Sequence, residues 1–99
     1  MKNGYKIHWT RNALEELSDT IEYLQRNFTD KEITRLALKI EETLQLISQN
    51  PELFQKSEIK NIRRVVILKF NTMYYRIEND NVEILSFFSN RQNPKERKI

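Results

Sequence analysis

Residues 63–94 read RRVVILKFNTMYYRIENDNVEILSFFSNRQNP: three β-prone runs divided by short polar breaks, with arginines at the start (Arg63, Arg64), in the middle (Arg76) and at the end (Arg91). The first run spans Arg63 to Phe70, and Asn71 follows as a turn residue. Thr72 to Glu78 makes the second, and Glu78-Asn79-Asp80-Asn81 is a tight polar hairpin signal. Val82 to Phe88 makes the third. Connections this short predict an antiparallel meander. Ser89-Asn90 ends the last run, Pro94 blocks regular continuation, and Lys95 to Ile99 reads as a loose tail.

Upstream, Tyr5-Lys6-Ile7-His8-Trp9 alternates apolar and charged residues with period two, the pattern of a strand with one buried face. Thr10 follows as an N-cap. From Arg11 the period becomes helical, with Leu14, Leu17, Ile21, Leu24 and Phe28 on one stripe and Glu15, Glu16, Asp19 and Glu22 on a solvated face. Thr29 with Glu32 has the capping-box spacing for a second helix over about 30–48, striped by Ile33, Leu36, Ala37, Ile40, Leu44 and Ile47. Leu38 and Leu46 lie off that stripe and are candidates for contact with a partner protein, although single exposed leucines are usually neutral. Asn50-Pro51 ends the helix, because the residue before proline avoids the α region. Leu53 and Phe54 are expected to tuck a turn under the core, and Lys56 to Asn61 is polar and ambiguous.

The predicted architecture is one α+β domain over residues 1–99, ordered β-α-α-β-β-β. The helical hairpin packs on one face of a small, antiparallel-rich four-stranded sheet, and the first strand joins by a crossover. Its other face is left at least partly open to a ligand.

Composition narrows the chemistry. Leu, Ile, Val and Phe fill 29 of 99 positions, enough for a folded core. The longest apolar run, Val65 to Leu68, is far short of a membrane span, and the N-terminus lacks a signal-peptide apolar region, so a soluble cytoplasmic protein without a membrane partner is expected. With no cysteine and a single histidine, His8, neither a thiol nucleophile nor a metal centre is expected. Gly4 is the only glycine, which excludes phosphate-cradling Gly-rich loops, and no cofactor is implied. Residues 1–54 carry seven Lys/Arg against nine Asp/Glu, whereas residues 55–99 carry ten against five. The predicted meander is thus the basic half, and that sign suits nucleic acid or an acidic protein segment as partner.

Within it, Arg63, Arg64, Lys69, Arg76 and Arg91 are interleaved with Tyr74 and Tyr75. Guanidinium groups bind phosphate oxygens bidentately, and tyrosine stacks on bases or transfers protons. The plain alternative is that outward strand positions are polar by default. Strand parity puts Tyr75 with Met73 and Ile77 in the core, and Tyr74 with Thr72, Arg76 and Glu78 on the open face. The apolar run after Arg63 hides which of Arg63 and Arg64 shares that face. Arg91, beyond the last strand at the sheet rim, is the first choice for a functional residue.

The element order, Asn50-Pro51-Glu52, Asn71 to Ile77 and Phe87-Phe88-Ser89-Asn90-Arg91-Gln92-Asn93-Pro94 together resemble the RelE/ParE superfamily of type II toxins. The resemblance covers nearly the whole chain. It implies a bacterial toxin neutralised by a cognate antitoxin, with one of two targets. RelE-like members cleave mRNA at the ribosome without metal, a role in which Arg76 and Arg91 would hold phosphates while Tyr74 or His8 moves a proton. ParE-like members instead poison DNA gyrase. The nuclease pattern has an arginine where Thr72 opens the middle strand, and a tyrosine in the C-terminal segment, where this chain has none. The expectation is therefore a growth-inhibiting, ParE-like toxin with gyrase as its candidate target, with a ribosome-dependent mRNA endoribonuclease as one alternative and a non-toxic module binding an acidic peptide as the other.

Overall fold

The computed structural model describes residues 4–90 and runs β1 (Lys6–Trp9), α1 (Arg11–Asn27), α2 (Asp30–Gln49), β2 (Arg63–Ile67), β3 (Asn71–Glu78) and β4 (Asn81–Ser89). The sheet order is β1-β4-β3-β2. The meander is antiparallel, and β1 lies parallel to β4 with Ile7 opposite Val82 and Trp9 opposite Ile84. The predicted α+β order and crossover are both present. Arg91 and the tail from Lys95 to Ile99 lie outside the described residues.

The sheet's inner face carries Ile67, Met73, Tyr75, Val82, Ile84 and Phe87, each at most 1% exposed. Burying one such side chain stabilises by about 1.5–3 kcal/mol, so this row is the main source of cohesion. The helices pack against it with stripes narrower than their hydropathy suggests. On α1 the buried residues are Ala13, Thr20 and Leu24, with Leu17 half-buried between them, while Leu14 is 50% and Phe28 42% exposed. On α2 they are Leu36, Ile40, Thr43 and Ile47, while Ala37 is exposed and Ile33 and Leu44 are half-buried. The core stripe of each helix is therefore rotated by about one residue from the apolar stripe. Thr20 and Thr43 fit there because each hydroxyl donates to the carbonyl one turn back, Glu16 O at 2.9 Å and Lys39 O at 2.7 Å.

The seam between α1 and β4 is closed by polar anchors. The Thr10 hydroxyl accepts from Ala13 N at 3.2 Å as the N-cap and donates to Ile84 O at 2.8 Å. Glu16, expected on a solvated face, instead reaches the sheet. Its Oε1 accepts from Ser86 Oγ at 2.8 Å and from the Phe87 N–H at 2.9 Å. Those donors lie beside a bulge, where the register slips from Tyr75↔Ile84 to Tyr74↔Ser86 and leaves Leu85 unmatched.

Three further expectations change. Thr29 caps α2 without a side-chain hydrogen bond, its carbonyl accepting from Glu32 N at 3.1 Å. Leu53 is 52% exposed, so Phe54 alone packs on the core from that connection. The first meander strand stops at Ile67, since Leu68 adopts a left-handed backbone (φ 59°) and turns the chain; Asn71 starts β3 and ties the turn by donating from Nδ2 to Ile67 O at 3.1 Å. Gly4 has φ 97°, and a Cβ there would lie 2.7 Å from Ser48 Oγ. That close approach lets Tyr5 N donate to Ser48 O at 2.9 Å, fastening the first strand to the end of α2.

Candidate functional site

Register settles which arginine shares the outer face. Arg64 stands opposite Tyr74, and Arg63 stands opposite Tyr75 on the helix-covered side. Each guanidinium has local work. Arg63 Nη1 donates to Phe54 O at 2.8 Å, and with the Gln55 amide oxygen turned toward it, Arg64 donates from Nε and Nη2 at 2.9 Å each.

Arg76 is exposed and bound to two carboxylates. Its Nε donates to Glu83 Oε1 at 3.0 Å and lies 3.4 Å from Glu78 Oε1. The hydrogen bond and charge of Glu83 hold the guanidinium above its usual range, and the hydrogen bond from Arg76 holds the Glu83 carboxyl below its own. His8, exposed on β1, is aligned with Glu83, so His8, Glu83 and Arg76 form one row across β1, β4 and β3. A carboxylate thus sits between the guanidinium expected to hold a phosphate and the imidazole offered as a proton carrier.

Tyr74 does lie on the strand side opposite Tyr75, but it is only 4% exposed, contrary to the expected open position. Tyr75 is fully buried as expected, and its hydroxyl donates to Pro51 O at 2.7 Å. Burial pushes that phenol up to about 12, partly offset by the nearby Arg63 charge. Thr72 is half-buried opposite Phe88. Lys69 sits in the turn after β2 with its ammonium 5.7 Å from the Phe70 ring centroid, remote from Arg76 near the far end of β3. Arg91 lies outside the described residues; of the other cations expected to form one phosphate site, Arg63 and Arg76 line one cleft, whereas Lys69 lies apart from it. Among the described residues no group of three or more His, Cys, Asp or Glu comes together to hold a metal ion. No described helix is long and apolar enough to cross a membrane.

An apolar surface lies elsewhere. An open groove of about 710 Å³ runs between α1, α2 and β1, walled by Leu14, Leu17 and Ile21 on one side and Ile33, Leu38 and Leu44 on the other. Leu38, 62% exposed, stands on its wall as a partner-contact candidate, whereas Leu46, 48% exposed, is not part of it. Leu14 shares an apolar stripe with Leu17 and Leu24 by its spacing, yet it lines this groove. The available signal was that each helix carries a wider apolar arc than one core stripe needs.

The β-α-α-β-β-β order, with a helical hairpin on one face of a four-stranded mixed sheet, matches the fold of the RelE/ParE superfamily of toxins. The model of the ParE toxin of type II toxin–antitoxin systems, parDE, matches residues 7–94, and the chain belongs to that family. In fold it is similar to the chromosomal ParDE TA system from P. aeruginosa, with a TM-score of 0.74 at 16% identity over 89% of this chain and 98% of that one. The YoeB/ParE toxin from Agrobacterium tumefaciens superposes with a TM-score of 0.60 at 17% identity, covering 85% and 96% of the two chains. The YoeB-YefM complex from Staphylococcus aureus gives 0.57 at 20% identity, covering 84% and 93%. Comparison with curated protein sequences finds no match.

Proposed function

We propose that this type II toxin arrests growth by binding DNA gyrase rather than by cutting RNA, and that a cognate antitoxin neutralises it by laying an amphipathic segment in the helical groove. The observation that carries the first part is the state of Arg76. A phosphate-binding guanidinium must offer free N–H groups to the charge that develops in the transition state. Here Nε and Nη2 are both engaged by Glu83, Glu78 Oε1 lies 3.4 Å from Nε, and a phosphate brought to Arg76 would meet both carboxylates. Tyr74 is buried, and Thr72 stands where the nuclease pattern has an arginine.

The groove supports the second part. Its walls are aliphatic, Glu41 lines it, and Glu22 lines an adjoining depression that shares Leu14, Leu17 and Ile21 with it, so it suits a segment with apolar residues at helical spacing flanked by basic ones. The test is a pair of assays on the purified chain: gyrase supercoiling, and cleavage of mRNA on programmed ribosomes. Inhibited supercoiling with intact message is expected. Cleaved message with unimpaired gyrase would replace this reading with the ribonuclease one.

A further inference from the structure

The sheet has a notch at one corner. β2 begins at Arg63, opposite Tyr75, but β3 continues through Arg76, Ile77 and Glu78, which pair only with Glu83, Val82 and Asn81 of β4. On the outer side of β2, Arg64 N donates to Gln55 O at 3.0 Å and Ser57 N donates to Ile62 O at 2.8 Å. Backbone groups alternate along a strand, so those of Arg63 turn inward to β3 and those of its partner Tyr75 turn back toward β2. Two residues further on, Ile77 directs its N–H and C=O into the notch, and no described strand meets them there.

Cations surround this unpaired edge. An open cleft of about 800 Å³ is lined there by Lys56, Lys60, Arg63 and Arg76, with Ile59 and Ile77 between them. Both arginines are engaged, Arg63 by the Phe54 carbonyl and Arg76 by Glu83 and Glu78, the last of which also lines the cleft. Lys56 and Lys60 are exposed, and neither is in an ion pair with another described residue. The loop that carries them is internally braced. Ser57 Oγ accepts from Ile59 N at 3.0 Å and donates to Ile59 O at 3.1 Å, Ile62 N donates to Ile59 O at 3.1 Å, and Asn61 turns the chain at φ 66°. A braced loop presents its charges with less ordering cost on binding.

Among the described residues no aromatic side chain lines the cleft, hence none offers a platform on which a base would stack. It offers instead a backbone donor and acceptor on one strand residue, free positive charge, and an Ile59 side chain that is 43% exposed. We propose that the notch takes an extended acidic peptide segment of a partner protein, added as a short strand on Ile77 with its carboxylates on Lys56 and Lys60. This surface is separate from the helical groove, and the proposal does not depend on what occupies that groove.

The test titrates the full-length chain with a short end-capped peptide alternating glutamate and valine, and in parallel with single-stranded DNA of equal charge, following backbone amide shifts. Peptide-induced shifts centred on Ile77, Ile59 and Lys60 are expected. The doubly charge-reversed chain, K56E with K60E, should bind about tenfold more weakly with an unchanged melting temperature. A peptide N-methylated at every valine or every glutamate should lose binding in one of the two series, because only one sends its N–H groups to Ile77; this arm uses the native chain and stands even if the double variant misfolds. Absence of binding, equal binding by both N-methylated peptides, or tighter binding of the DNA at the same residues would each overturn the proposal.

Discussion

The two sides of α1 are built to opposite rules. Toward β4 the helix uses small and polar residues: Ala13 with no exposed surface, Thr20 bonded to its own helix, and Glu16 bonded across to Ser86 and Phe87. Toward α2 it sets large aliphatic residues, Leu14, Leu17 and Ile21, along a groove that stays open. Close approach of a helix to a bulged strand needs small volume and exact hydrogen bonding, which short and polar side chains supply. Leucine half in water contributes little to folding, so its presence on the open side is better accounted for by a partner.

The most damaging way to break the closed side is Glu16→Ala. It removes the acceptor for the Ser86 hydroxyl and for the Phe87 N–H, and the expected loss is about 3 kcal/mol in chemical denaturation. Glu16→Gln keeps one acceptor oxygen and should cost roughly half as much. If both variants melt like the parent chain, the seam is held by packing alone.

On the open side the same kind of change should leave folding nearly untouched. Leu14→Asp and Leu38→Asp alter residues that are 50% and 62% exposed, so each should change stability by no more than about 0.5 kcal/mol. Each should weaken antitoxin binding by about 2 kcal/mol, roughly thirtyfold, because the aspartate would be desolvated in an apolar groove. Calorimetric titration with the antitoxin checks this. Unchanged affinity in both variants would move the antitoxin off the groove.

This division explains what the sequence made legible. Period-two and helical patterning report where apolar residues recur, and that was enough for the element order, the crossover and Tyr75 in the core. It does not report which apolar residues the fold itself consumes. Leu14 reads as core because leucine is apolar; Ala13 and Thr20 do not, although they are the ones buried. Glu16 reads as solvated because nothing local marks a partner seventy residues away. Tyr74 follows strand parity, but parity assigns a side of the sheet and not the degree of burial. Lys56 and Lys60 lay in a segment without period, and the notch arises from a difference in length between neighbouring strands.

A smaller effect sharpens the comparison at the end of α2, where Tyr75 is the polar anchor. Tyr75→Phe leaves Pro51 O without its 2.7 Å donor and should cost about 1–2 kcal/mol. In the folded parent chain burial pushes the phenol up to about 12 from the ordinary tyrosine value of 10.0, which the unfolded chain retains. The folded state therefore holds the proton more tightly. Its contribution is complete below about pH 10 and is lost as pH rises toward 12. Stability measured over that window should fall less steeply in Tyr75→Phe; equal slopes would mean that the buried hydroxyl is not the group responsible.

The smallest effect belongs to the row of His8, Glu83 and Arg76, the counterpart on the sheet's far side. The Glu83 carboxyl is held below its usual value of 4.5 chiefly by the hydrogen bond from Arg76. A depressed carboxyl stabilises the fold above its unfolded pKa, and the contribution disappears as pH falls through the depressed value. Because both side chains meet water, salt should erode it further. Arg76→Gln is thus expected to flatten the acid limb of the stability curve at low ionic strength, by a small loss at neutral pH that disappears at the acid end. The same substitution distinguishes a clamp from a ligand-binding arginine. If Arg76 serves only to hold Glu83 and Glu78, growth arrest should survive the change; if toxicity is lost while the melt is unchanged, Arg76 contacts the target and the carboxylates must release it on binding.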